Sequence, residues 1–181
     1  MWMRLAAALL LTGAAGCGGT KEDKSVNDST TVAQFALASS DIQDGQPIAA
    51  VYTCDGSNQS PQLSWDEPPP GTKSLALIVD DPDAPSGTFH HWGAYDIPGA
   101  VRSIPRGQTI GTQATNDAGK RGYMGPCPPQ GHGPHHYHFK LYALDVDKLG
   151  LPEGAKIPDV EQAAKQHQVG MAELVATYER K

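Results

Sequence analysis

The sequence predicts a mainly β protein, an antiparallel β-sandwich with a few short helices. Three observations carry that expectation. Residues 73–81, 90–97 and 136–144 are strand-length segments whose side chains alternate with a period of two. Fifteen prolines and twenty glycines punctuate nearly everything between them, which is the spacing of turns rather than of βαβ crossovers. A single stretch, Pro158-Asp159 followed by Val160 to Lys165, reads as a short helix with an N-cap.

Each element has its own grounds. In 73–81, Leu75, Leu77, Val79 and Asp81 share one face and Ala76, Ile78 and Asp80 the other. Both faces are mostly apolar, so this strand is expected at the centre of its sheet. Residues 90–97 form a second strand, closed by Pro98-Gly99, with His91, Tyr95 and Ile97 on one side. In the third, His135, Tyr137, Phe139 and Leu141 oppose His136, His138, Lys140 and Tyr142. Residues 171–178 fit two templates: Met171, Leu174, Val175 and Tyr178 at helical spacing, or Ala172, Leu174, Ala176 and Tyr178 in alternation. The reading adopted is a strand that ends the sheet.

The N-terminus lies outside this fold. A basic start through Arg4, the apolar run 5–11 and the small residues Ala14-Ala15-Gly16 precede Cys17. The run is too short to span a bilayer, and the layout is that of a secretory signal. A cysteine directly after small residues resembles the lipobox of bacterial lipoproteins, with Ala14 where leucine is usual. Residues 1–16 are thus read as a signal peptide and Cys17 as the site of lipidation, carrying thioether-linked lipid and an acyl chain such as palmitate. Residues 17–34, polar and without apolar period, read as the lipidated cysteine and a flexible tether, and 35–181 as one domain. The protein is expected to be exported and lipid-anchored to the bacterial cell envelope, on its periplasmic or outer-membrane face.

Without its leader the chain carries thirteen basic and twenty acidic residues. That balance argues against nucleic acid as a partner, because no basic face exists to neutralise phosphates. Contact with the membrane is expected through the N-terminal lipid only. Cys54 and Cys127 remain in an oxidising compartment, beside turn residues, and form a disulfide candidate.

The chemistry concentrates at strand ends. Proline cannot extend a central strand, so the chain must leave the sheet at Asp81-Pro82. Asp81 and Asp83, two apart on extended backbone, can converge, or each can cap local N–H groups in an Asx-turn. His91 follows eight residues after Asp83, and a carboxylate beside an imidazole raises its pKa and fixes its orientation. Six histidines, His90, His91, His132, His135, His136 and His138, raise the question of a metal. His136-x-His138 would place two rings on one face, as zinc or copper needs; the plainer reading puts both half-exposed beside Lys140. No metal ligand and no cofactor is assigned. His91 and His135 pointing inward with Asp81 and Tyr137 make a compact polar pocket suited to a small anion. No nucleophile elbow, Walker loop, dinucleotide fingerprint or His-Glu-x-x-His occurs.

These residues resemble the phosphatidylethanolamine-binding protein family, in its bacterial Raf-kinase-inhibitor-like branch. The resemblance rests on Tyr52-Thr53-Cys54-Asp55-Gly56, Ser60-Pro61, residues 75–85 with Asp81-Pro82-Asp83-Ala84-Pro85, His91-Trp92, residues 125–137 and the ending 172–178, in the family's order. It covers about 35–180 and implies a β-sandwich with a shallow anion pocket. That pocket would use Asp81, Asp83, His91, His135 and Tyr137, walled by Pro85, Phe89, Pro128 and Pro129. It also implies a cis Ala84–Pro85 bond. Cys127 stands where many relatives carry a glycine whose N–H faces the anion. Such proteins bind phosphorylated ligands and inhibit kinases or proteases.

The function expected is a non-catalytic extracytoplasmic binding protein for a small phosphorylated or carboxylated ligand. Asp81 would orient its neighbouring histidine; His91, His135 and Tyr137 would donate to the anion, more strongly as pH falls. Two alternatives stand beside it: an inhibitor or regulator that docks a protein target, and a small hydrolase or metal-dependent enzyme using the carboxylate pair.

Overall fold

Residues 32–181 are described by the computed structural model. The residues read as signal peptide, lipidation site and tether, up to residue 31, lie outside the described residues. The strands are β1 (Ala33–Gln34), β2 (Leu37–Ala38), β3 (Leu63–Trp65), β4 (Ser74–Asp81), β5 (Phe89–Pro98), β6 (Ser103–Ile104), β7 (Thr112–Gln113), β8 (His135–Leu144) and β9 (Gln168–Tyr178). One α-helix, α1 (Ile157–Gln166), and a 3-10 turn at Ala50–Tyr52 complete the described elements.

The large sheet runs β1-β9-β8-β4-β5-β7 and the small one β2-β3-β6. Every pairing is antiparallel except β1 with β9, which is parallel. The sequence places Ala33 and Gln34 in the tether; here they pair with Gly170 and Met171, so the domain begins before residue 35. Polar, exposed residues can make an edge strand because only backbone groups are required of it.

β4 is central and buried along its whole length. Leu75, Leu77 and Val79 pack with Leu63, Trp65 and Ile104 of the small sheet, Trp92 and Ile97 of β5, and Phe139 and Leu141 of β8. Ala76 and Ile78 face the other way, onto Ile157, Val160 and Ala164 of α1. The molecule therefore has three layers, small sheet, large sheet and helix, and each face of β4 serves a separate apolar core.

α1 starts at Ile157, one residue before the sequence reading, and makes no side-chain N-cap hydrogen bond. Pro158 in the first turn, Asp159 beside it and Lys165 in the last turn satisfy the backbone and dipole instead. β9 settles the ambiguity at 171–178 in favour of a strand, with Ala172, Leu174 and Ala176 inward.

β5 is shifted against β4 at two places, between Leu75 and Leu77 and between Val79 and Asp80. At the first, Asp96 adopts φ +54° and its carboxylate accepts the Leu149 N–H at 2.9 Å. The extra residue inverts the parity of the strand. Tyr95 consequently joins the helix-side core while Ile97 stays between the sheets, which corrects the expectation that both share the His91 face. At the second, His91 is the extra residue between the Val79–Trp92 and Asp80–His90 pairs.

Gly93 lies where α1 presses on β5. A Cβ there would stand 2.7 Å from Ile157 Cγ1 and 2.9 Å from Ala114 Cβ. Gly93→Ala should cost about 1–3 kcal/mol through overpacking, read as a lowered urea midpoint with an unchanged slope.

Candidate functional site

The site forms where β4 ends and β5 and β8 begin. Asp81 leaves the sheet into Pro82, and its Oδ1 accepts the Asp83 N–H at 2.9 Å. A second turn follows, closed by the Gly87 N–H to the Ala84 carbonyl at 3.0 Å, with Pro85 at its second position. No cis peptide occurs among the described residues, so the implied cis Ala84–Pro85 bond is absent. A trans proline fits the second position of such a turn, and the reversal needs no cis bond there.

The opposite wall comes from the proline-rich loop before β8. Met124 N–H donates to the His91 carbonyl, Gly125 N–H to Asn58 Oδ1 and Cys54 N–H to the Pro126 carbonyl. Gly125 is required by close approach: a Cβ would run into the Tyr52 carbonyl oxygen. Cys54 and Cys127 are joined as a disulfide, Cα–Cα 5.4 Å, closing a loop of 73 residues.

Between these walls lies a pocket of about 250 Å³. Asp81, His91, His135 and Tyr137 supply its polar side. Pro85, Phe89, Cys127, Pro128 and Pro129 supply its walls, joined by Ala84 and Met124. Four larger hollows, of about 620, 470, 320 and 300 Å³, are lined by no histidine.

The four polar side chains sit among the most buried of the molecule. Asp81 is 3% exposed, His135 1%, His91 4% and Tyr137 0%. His135 Nδ1 lies 2.7 Å from Asp81 Oδ2, and its Nε2 lies 2.8 Å from His132 Nδ1. His91 Nδ1 lies 2.9 Å from the Met124 carbonyl, which only accepts; Nε2 is that ring's remaining nitrogen. Burial holds the His91 pKa below its ordinary value, although the Met124 carbonyl and the Asp81 charge work against the shift. The Tyr137 hydroxyl is buried without a hydrogen-bond partner among the described residues. Burial first, and then the Asp81 charge, push its pKa far up, so it stays a phenol able to donate.

Two expected relations are replaced. Asp83 does not line the pocket; its Oδ2 accepts from His136 N–H at 2.8 Å and lies 2.7 Å from His136 Nδ1. That partner holds the Asp83 pKa below the usual carboxylate range. His91 therefore has no adjacent Asp83 to raise its pKa, and burial lowers it. His136 and His138 turn to different carboxylates, Asp83 and Glu173, rather than to one centre. Among the described residues, Asp80, His90 and Glu161 bring donor atoms within 4.8 Å of one another, on the helix side of the sheet. Lys140 already supplies the cation there, 2.6 Å from Asp80 and 3.9 Å from Glu161. The sequence reading does not single out Ala84, Met124 or the role of His132; the His132-x-x-His135 spacing inside a glycine-rich turn is the one available signal for the last.

The model of the family described as phosphatidylethanolamine-binding protein matches residues 38–179. The chain belongs to that family. Among relatives, a UPF0098 protein of Aquifex aeolicus is 47% identical over 145 residues, 77% of this chain and 85% of its own. A Mycobacterium tuberculosis protein named as a lipoprotein, LppC, is 41% identical over 188 residues, covering 97% of this chain and 92% of its own. The crystal structure of Escherichia coli YbcL, described as a new member of the mammalian PEBP family, superposes with a TM-score of 0.78 at 34% identity. It covers 82% of this chain and all of YbcL.

In this PEBP-family chain the buried, neutral His91 has a consequence for stability. Unfolded, the ring titrates near 6.5; folded, it titrates lower. Between those values the unfolded state binds more protons, so stability falls as pH drops through about 6.5. Urea titrations without added anions should show the wild type losing stability relative to His91→Gln between about pH 7 and about pH 5. A difference independent of pH would contradict a buried neutral His91.

Proposed function

We propose that this protein is a non-catalytic binding module of the cell envelope that holds the oxyanion head of a small phosphorylated or carboxylated ligand. The observation that carries the reading is the Tyr137 hydroxyl, buried in the pocket beside His91 with no hydrogen-bond partner among the described residues. A buried phenol without an acceptor is costly, and an anionic oxygen would relieve it. His91 would accept a ligand proton at Nε2 or, once protonated, donate to the anion. The walls of proline, phenylalanine and the disulfide would shelter the ligand's less polar part. The family's descriptive name, with its phosphate-bearing head group, supports the same chemistry.

The envelope assignment is supported by the lipobox-like residues before Cys17 and by the relative named as a lipoprotein. Cys17→Ser should move the protein from the membrane fraction to the soluble fraction of the cell, as seen by immunoblot. Continued membrane association would contradict lipid anchoring.

Calorimetry with inorganic phosphate and phosphoethanolamine tests the pocket. An anion favours the imidazolium, so affinity should rise as pH falls toward the depressed pKa of His91. Tyr137→Phe should weaken binding roughly tenfold, the value of one charge-assisted hydrogen bond. His91→Ala should abolish most of the pH dependence. Equal affinity in wild type and His91→Ala would reject the pocket assignment.

A further inference from the structure

We infer that His132 is a further binding residue of this site: the outer end of a hydrogen-bonded chain, Asp81–His135–His132, that takes up a proton when an anion arrives at the mouth. The inference rests on the anion-binding reading above. It follows from which atom in each contact can donate. A carboxylate oxygen accepts, so His135 Nδ1, 2.7 Å from Asp81 Oδ2, carries hydrogen. With the His135 ring taken as neutral, its Nε2 is a lone pair and His132 Nδ1, 2.8 Å away, is the donor. His132 Nε2 is left bare, on a ring that is exposed while His135 is 1% exposed.

Both nitrogens of His135 are thus engaged, and it has none to offer a ligand while the chain is intact. A proton added to His132 Nε2 breaks neither hydrogen bond. It also creates an outward donor whose charge is linked through His135 to the Asp81 carboxylate. The backbone delivers the ring to this place through Gly131 and Gly133, both left-handed at φ +70° and +87°, with His132 N–H donating to the Pro129 carbonyl.

The other titratable groups facing this loop are committed elsewhere. Asp83, from the β4–β5 turn, is held by His136. His91 of β5 is engaged at Nδ1 by Met124, and burial lowers its pKa. Tyr137 of β8 remains a phenol. From the C-terminal segment, the Arg180 carbonyl accepts the Gly131 N–H, while its guanidinium and the Tyr178 hydroxyl both turn to Asp55. Glu179 and Lys181 follow on the same segment, and both are exposed.

The test uses inorganic phosphate titrated calorimetrically at about pH 6, in two buffers of different ionisation enthalpy. Wild type should take up protons as phosphate binds. His132→Gln, an exposed loop change, should lower affinity roughly tenfold and remove the part of that uptake that survives in His91→Ala, with little effect at about pH 8.5. Equal affinity and uptake in both proteins would overturn the inference. A ligand-free readout separates it from the reading beneath it. Long-range proton–nitrogen spectra of the wild type should show His132 as the Nδ1–H tautomer, the less common form of a surface histidine. An Nε2–H tautomer would overturn the chain whatever phosphate does. Failure of the wild type to bind phosphate, with the Nδ1–H tautomer present, would instead reject the anion reading and the binding role with it.

Discussion

Asp81 and His135 meet at 2.7 Å between the end of β4 and the start of β8, both nearly sealed from water. A carboxylate taken out of solvent needs donors for its lone pairs, and the two it finds shape the site around it. One is the Asp83 N–H, whose bond turns the chain out of the sheet at Pro82 and sets up the turn carrying Pro85 toward the pocket. The other is the His135 ring, which ties the first residue of β8, and with it the loop from Gly125 to Pro134, to the β4 end. Removing either partner would leave the other buried and unsatisfied, a cost of about 1–3 kcal/mol.

The same strand end looks two ways. Asp80 and Asp81 are neighbours, so alternation sends Asp80 to the helix layer, where Lys140 neutralises it at 2.6 Å, and Asp81 to the pocket. Two acids at one strand end can coexist because each has a partner in a different layer. The second register shift of β5 serves this arrangement: it frees His91 to line the pocket while His90 turns toward Asp80 and Asp117.

Much of this was legible in the sequence because it depends on periodicity and punctuation. The two apolar faces of residues 74–81 announce a central strand. The proline after Asp81 marks where the chain must leave the sheet, and two cysteines left over beside turns are joined as expected. The pocket's histidines, tyrosine and proline walls converge because strand parity holds along β4 and β8. What escaped the sequence reading was set by single extra residues and by competition among partners. The bulge at Asp96 reverses parity between Tyr95 and Ile97, and no local pattern signals it. Asp83 could have faced His91, but His136 offers it both a backbone and a ring nitrogen, and two bonds outweigh one. The pKa of His91 follows burial rather than charge, which becomes visible only once the layers are assembled. β1 escaped because an edge strand needs only backbone and leaves no apolar trace.

The wall opposite the polar corner is made of Cys127, Pro128 and Pro129. Two of those three residues have no amide hydrogen, and the cysteine sulfur is spent in its bridge. This side of the recess can sheathe methylene or aromatic surface but has almost nothing with which to compete for a guest's oxygens. Discrimination between one head group and another therefore falls to the strand-end side chains, and the stiff wall acts as a passive gauge of width, tolerant of chemistry and strict about bulk.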